Sequence, residues 1–163
     1  MIEARFSLVD HHDHAVTEGD FLGRHLLAYF GFTHCRVVCP RALGTLSAAL
    51  DRLGPQADAL APVYISVDPA RDTPEVMRAY LEGRYPRFTG LTGTQDQVAA
   101  AKRAFHVFAE RRDDPADPDG YAVPHTAIAY LIGPDGRYRT HFPDGAGEEA
   151  IASRLAAALG QGG

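Results

Sequence analysis

At 163 residues the chain fits one domain, residues 1–163, and its 45% hydrophobic and 23% charged residues are the balance of a globular protein, not of a disordered one. A formal net charge of -5 with no Lys/Arg run argues against nucleic acid as a partner. No apolar stretch approaches the roughly 20 residues of a membrane span, and Met1 to Phe6 runs into patterned sequence without a signal peptide, so no membrane anchor is expected in this chain.

Phe6 to Asp10 reads as a strand, His11-His12-Asp13-His14 as a turn, and Ala15-Val16-Thr17 as the returning arm of a hairpin. Leu26 to Phe32 is a continuous apolar run, the pattern of a strand buried on both faces. Thr33 to Cys39 makes a loop, and Pro40 opens a helix whose apolar face is Leu43, Leu46, Leu50 and Leu53, stopped by Gly54-Pro55. Pro62 to Val67 is a second buried strand. Asp72-Thr73-Pro74-Glu75 starts a helix to Glu82, with Asp72 or Thr73 as cap, and Thr94 caps another over Gln95 to Phe105. Val107 to Ala109 is a candidate short strand, and the acidic segment Asp113 to Gly120 is a loop. Thr126 to Ile132 is a strand, Pro134-Asp135-Gly136 a turn, Arg137 to Phe142 its hairpin partner, and Glu148 to Leu159 a closing helix. Strands alternating with helices predict an α/β fold with a central mixed sheet flanked by helices and an N-terminal β-hairpin.

Two cysteines are too few for a disulfide scaffold, but Cys35 and Cys39 stand close together where a buried strand meets a helix. At helical spacing both sulfurs share one face, and a helix N-terminus favours thiolate. Two soft thiolates suit copper(I), zinc or an iron–sulfur cluster. Zinc and iron–sulfur sites ordinarily want four ligands, whereas copper(I) accepts two or three. A redox-active dithiol is the competing use of the same pair, although the usual redox motif has two intervening residues. A third ligand has to come from the eight histidines. His125 precedes a strand whose loop can return beside the cysteines, and His34 would have to bend back. His11, His12 and His14 could hold a metal weakly, although a solvated turn is the ordinary reason for such a cluster.

Residues 30 to 40, Phe-Gly-Phe-Thr-His-Cys-Arg-Val-Val-Cys-Pro, resemble the signature of the SCO/SenC family, Phe-Gly-Phe-Thr, any residue, then Cys-Pro-x-x-Cys-Pro. Ser66-Val67-Asp68-Pro69-Ala70-Arg71-Asp72-Thr73-Pro74 matches a second family motif and Leu91-Thr92-Gly93-Thr94 a third. His125-Thr126-Ala127 with Tyr130-Leu131-Ile132 and Pro134-Asp135-Gly136 is similar to a fourth. The resemblance implies a thioredoxin-like fold and one copper ion, Cu(I) and also Cu(II), held by Cys35, Cys39 and His125. It implies a chaperone delivering copper to the binuclear centre of cytochrome c oxidase, with that enzyme's copper-bearing subunit or another copper-transfer protein as partner. The expected location is the bacterial periplasm or the outer face of the inner membrane, ahead of the mitochondrial intermembrane space. A thiol–disulfide oxidoreductase that keeps a partner's copper-binding cysteines reduced is the alternative, with Cys35 and Cys39 as a redox-active disulfide.

Three positions depart from the family pattern: Arg36 replaces proline, Val37 an acidic residue, and Pro124 the acidic residue before the histidine. Arg36 is expected to favour thiolate at the cysteines. Val37 and Pro124 withdraw polar groups from the metal's surroundings. Pro124 is also a candidate cis peptide, as thioredoxin-like folds often carry one there. Asp68, Arg71 and Asp72 are candidates either for partner contact or for a structural turn, in which Arg71 pairs with Asp68.

Overall fold

The structure, a computed structural model, describes residues 2–36 and 38–160. Strands β1 (Ser7–Asp10) and β2 (Ala15–Thr17) form the N-terminal hairpin, with Leu8 opposite Val16. Strand β3 (His25–Gly31) is buried at every residue, as its apolar run requires. Helix α1 (Val38–Leu53) follows, starting two residues before Pro40 and so taking Cys39 into its first turn.

Strand β4 (Leu60–Ser66) runs parallel to β3. Helix α2 (Pro74–Arg84) is capped by Thr73, whose hydroxyl accepts the Val76 N–H at 3.3 Å; Asp72, the other candidate cap, is used elsewhere. Strand β5 (Thr89–Thr92) was not among the expected elements; it is only four residues long and its glycine breaks the apolar pattern. Helix α3 (Gln95–Phe105) begins with the Thr94–Gln97 capping box.

The Val107 to Ala109 segment is not a strand; it makes one isolated bridge, Ala109 to His125. The acidic loop is pinned at its ends by a small hairpin, β6 (Arg112–Asp113) and β7 (Tyr121–Ala122). Strand β8 (Ile128–Ile132) starts two residues later than predicted and pairs with β9 (Tyr138–Pro143) across a turn where Gly136 has φ 83°. Helix α4 (Glu148–Gly160) closes the described chain.

The main sheet has the order β2-β1-β5-β4-β3-β8-β9, with β3, β4 and β5 parallel and the other pairs antiparallel. It is the mixed, helix-flanked sheet of a thioredoxin-like fold. Period-two alternation along β3 divides the core. Leu26, Ala28 and Phe30 join Val63, Ile65, Val98 and Phe105 on the α3 side. Leu27 and Tyr29 join Leu43, Leu50, Met77, Leu81 and Leu155 beneath α1, α2 and α4. Among the described residues no helix is long and apolar enough to cross a membrane.

Candidate metal centre

Cys35 lies in the loop before α1, half-buried, and Cys39 lies within the helix, fully buried. Their sulfurs meet because the loop folds back over the helix start, not because both ride one helical face. The Cys35 N–H donates to the Phe32 carbonyl at 3.1 Å, closing a turn. Cys35 Sγ in turn accepts the Cys39 N–H at 3.4 Å, so a sulfur occupies the place of a capping oxygen at a helix N-terminus. The Cys39 thiol is held well above the usual range, first by its hydrogen bond with Cys35 and next by burial. A metal binding there therefore displaces a proton.

His125 enters from the segment before β8. Its Nε2 stands 3.7 Å from Cys39 Sγ. Its Nδ1 lies 3.1 Å from the Val123 carbonyl, which can only accept, so Nδ1 carries the proton and Nε2 keeps its lone pair toward the sulfurs. The Phe32 ring meets the imidazole edge-on at 5.7 Å. Bonds of about 2.3 Å to sulfur and about 2.0 Å to nitrogen at a trigonal angle put two donors about 3.7 Å apart. The Cys39–His125 spacing therefore suits one ion, and the donor set of two sulfurs and one imidazole is soft enough for copper.

The expected cis bond before Pro124 is absent: every peptide bond among the described residues is trans. The segment reaches the cysteines as extended chain instead. The Pro124 carbonyl accepts the Glu110 N–H at 3.1 Å, and the Thr126 N–H donates to the Phe108 carbonyl at 2.8 Å. With the position set by that pairing, nothing offsets the intrinsic trans preference. Pro124 itself is exposed.

Arg36 is exposed and reaches Asp114 at 3.2 Å, which offsets the charge expected to act on the thiols. Val37 lies outside the described residues. Asp68 and Arg71 pair at 2.6 Å, as the turn predicts, but the network is larger. Arg71 also binds Asp117 at 2.8 Å and sits 3.8 Å over the Tyr121 ring, whose hydroxyl donates to Asp68. Asp72 is buried and accepts from the Ser66 hydroxyl at 2.7 Å and from both the hydroxyl and the N–H of Thr33, at 2.5 and 3.1 Å. Burial raises its pKa even so. Asp68, Asp72 and His34 bring donor atoms within 4.8 Å of one another, but both carboxylates are already committed to these bonds. They anchor the Thr33 end of the cysteine loop and the hairpin that leads to His125.

The arrangement recruits residues that the sequence reading passed over. Thr33 and Tyr121 complete the network, and the Tyr64 hydroxyl donates to the Phe32 carbonyl at 3.0 Å. Thr33 lies within the Phe-Gly-Phe-Thr signature, and the acidic loop is a second legible signal: its Asp114 and Asp117 complement Arg36 and Arg71, but opposite charges 46 or 78 positions apart do not announce a pairing. Of the other histidines, His34 stands 3.7 Å from Asp119, and His11, expected in a solvated turn, is buried.

A family model described as SCO1/SenC matches residues 1–160. Protein sco1 of Schizosaccharomyces pombe is 38% identical over 157 residues, covering 95% of this chain and 58% of the relative. The chain spans about half the length of the curated relatives it matches. The structure of Bradyrhizobium japonicum ScoI with copper bound is 36% identical with a TM-score of 0.87, covering 97% of this chain and 99% of that one. Arabidopsis thaliana ScoI with copper bound gives 29% identity and a TM-score of 0.91, covering 99% of both chains.

Proposed function

Because the chain belongs to the SCO1/SenC family, we propose that it is a copper chaperone holding one copper ion through Cys35 Sγ, Cys39 Sγ and His125 Nε2. The observation that carries this reading is the 3.7 Å approach of His125 Nε2 to Cys39 Sγ, with the ring tautomer set by the Val123 carbonyl. The two sulfurs hold copper(I), and the imidazole adds the nitrogen that copper(II) favours. The cargo goes to the copper-bearing subunit of cytochrome c oxidase or to another copper-transfer protein, in the bacterial periplasm or at the outer face of the inner membrane. Copper-bound relatives with this fold support the assignment of the ion. Anaerobic copper(I) titration against a competing chelator tests it. One ion per chain is expected, lost in Cys35→Ala and in Cys39→Ala; unchanged stoichiometry and affinity in either variant would sink the assignment.

The side chains of Cys35 and Cys39 meet, which favours a second use as a dithiol that reduces a partner's disulfide. The balanced step forms the Cys35–Cys39 disulfide and leaves two thiols on the partner. His125 separates the two uses, since ligation needs the imidazole and exchange does not.

A further inference from the structure

The β1–β2 turn carries His11, His12 and His14, and the cysteine site uses none of them. Folding sorts the three. The Asp10 carboxylate fixes the turn by accepting the N–H groups of His12 and His14 at 2.9 and 3.0 Å. His14 stays apart, its ring 6.5 Å from that of His12. The His11 ring lies 4.4 Å from that of His12. Helix α2 then brings Glu82 across, with Oε1 4.0 Å from His12 Nε2. One donor atom from each of His11, His12 and Glu82 falls within 4.8 Å of the others.

We propose that His11, His12 and Glu82 form a second metal site, for a divalent transition ion such as Zn²⁺ or Cu²⁺. Two imidazoles and a carboxylate are the nitrogen and oxygen donors such ions take, unlike the two thiolates at Cys35 and Cys39. Two ligands of one tetrahedral ion sit about 3.4 Å apart. Glu82 is more than half exposed, so a side-chain rotation closes the remaining gap to His12. The site is separate from the cysteines. Strand β1 stands three strands from β3, roughly 14 Å at the usual strand spacing.

His11 gives the site a built-in reporter. Its Nδ1 accepts the Gly90 N–H at 2.8 Å, so the neutral ring carries its proton on Nε2. Ligation through Nε2 moves that proton to Nδ1 or to solvent, and ligation through Nδ1 displaces Gly90 directly. A neutral His11 ligand therefore releases the Gly90 amide. Arg78, whose charge acts on His11, opposes the ion.

Zinc is the probe, because it does not oxidise thiols, and Cys35→Ser/Cys39→Ser removes the thiolate site. Competition against a chromophoric zinc chelator should show one zinc per chain in that variant, with faster hydrogen exchange at Gly90. His12 and Glu82 are 52% and 56% exposed, so substituting them leaves the fold intact. Adding His12→Ala or Glu82→Gln should weaken binding about tenfold or more, the least that loss of a supporting group costs a metal site. Arg78→Ala should tighten it. No zinc uptake, equal affinity with and without His12 and Glu82, or unchanged Gly90 exchange on zinc binding would each overturn the three-ligand site.

Discussion

Gly31→Ala probes how closely the end of β3 packs against the Cys39 sulfur. A β-carbon at Gly31 would lie 2.6 Å from Cys39 Sγ and 2.5 Å from the Tyr64 hydroxyl oxygen. Non-bonded heavy atoms settle near 3.5–4.0 Å, so the overlap is roughly 1 Å. Neither neighbour yields cheaply. Both are fully buried, and the Tyr64 hydroxyl is tied to the Phe32 carbonyl. The strand is held as well, since the Gly31 carbonyl accepts the Val67 N–H at 2.8 Å. Overpacking of this kind costs about 1–3 kcal/mol. Gly44→Ala is the matched control: the same methyl group, in the interior of α1, with no atom within 4 Å beyond its chain neighbours and the adjacent backbone of its own helix. There the alanine should stabilise by about 0.5–1 kcal/mol. Urea unfolding of the metal-free protein reads stability, and anaerobic copper(I) competition reads the site. Gly31→Ala should unfold at lower urea and bind copper(I) more weakly, because Cys39 Sγ has to move. Gly44→Ala should unfold at higher urea and bind as before. An unshifted midpoint together with an unshifted affinity in Gly31→Ala would refute the packing argument.

His125→Ala should keep measurable copper(I) binding on the two sulfurs and lose the stable copper(II) complex with its thiolate-to-copper absorption; a variant that holds copper(II) like the wild type would remove His125 from the site. His25 is buried, and burial first and Arg139 second hold its pKa below the ordinary 6.5. The unfolded chain therefore takes the proton first, so stability is full above about pH 6.5 and declines as pH falls through the folded value. His25→Leu should narrow the difference between urea midpoints at neutral and mildly acid pH; an equal difference would show that His25 titrates as in the unfolded chain. Thr73→Ala removes the cap of α2 and should cost about 1 kcal/mol by urea denaturation, with no change in copper affinity.

The elements that announced themselves did so through local pattern. The apolar run of β3, the leucine face of α1 and the Thr94 cap depend on residues a few positions apart, and the structure has all three. The start of α1 was less legible. Pro40 marks a favourable early helical position, but the helix begins two residues before it, and that shift takes Cys39 into the first turn and leaves Cys35 in the loop. Strand β5 was hidden because four residues containing a glycine carry no periodicity; its place comes from pairing with β4 on one side and β1 on the other.

By itself the sequence determined the chemical inventory: two thiols at close spacing, a histidine before a strand, and motifs that place the chain in a family. Those are properties of short stretches, and short stretches are read without folding them. Tertiary structure alone decided which groups meet. His125 stands 86 positions from Cys39, and it reaches the sulfur because the 108–110 segment pairs with the chain around Pro124. Asp72 was a helix cap by its neighbours and became a buried anchor for Thr33, 39 positions away, because β3 and β4 run side by side. In the histidine turn, sequence grouped His11, His12 and His14, while packing against β5 and α2 buried His11 and exchanged His14 for Glu82. Contacts of this kind follow from strand order and loop closure across dozens of residues, and no local pattern encodes either.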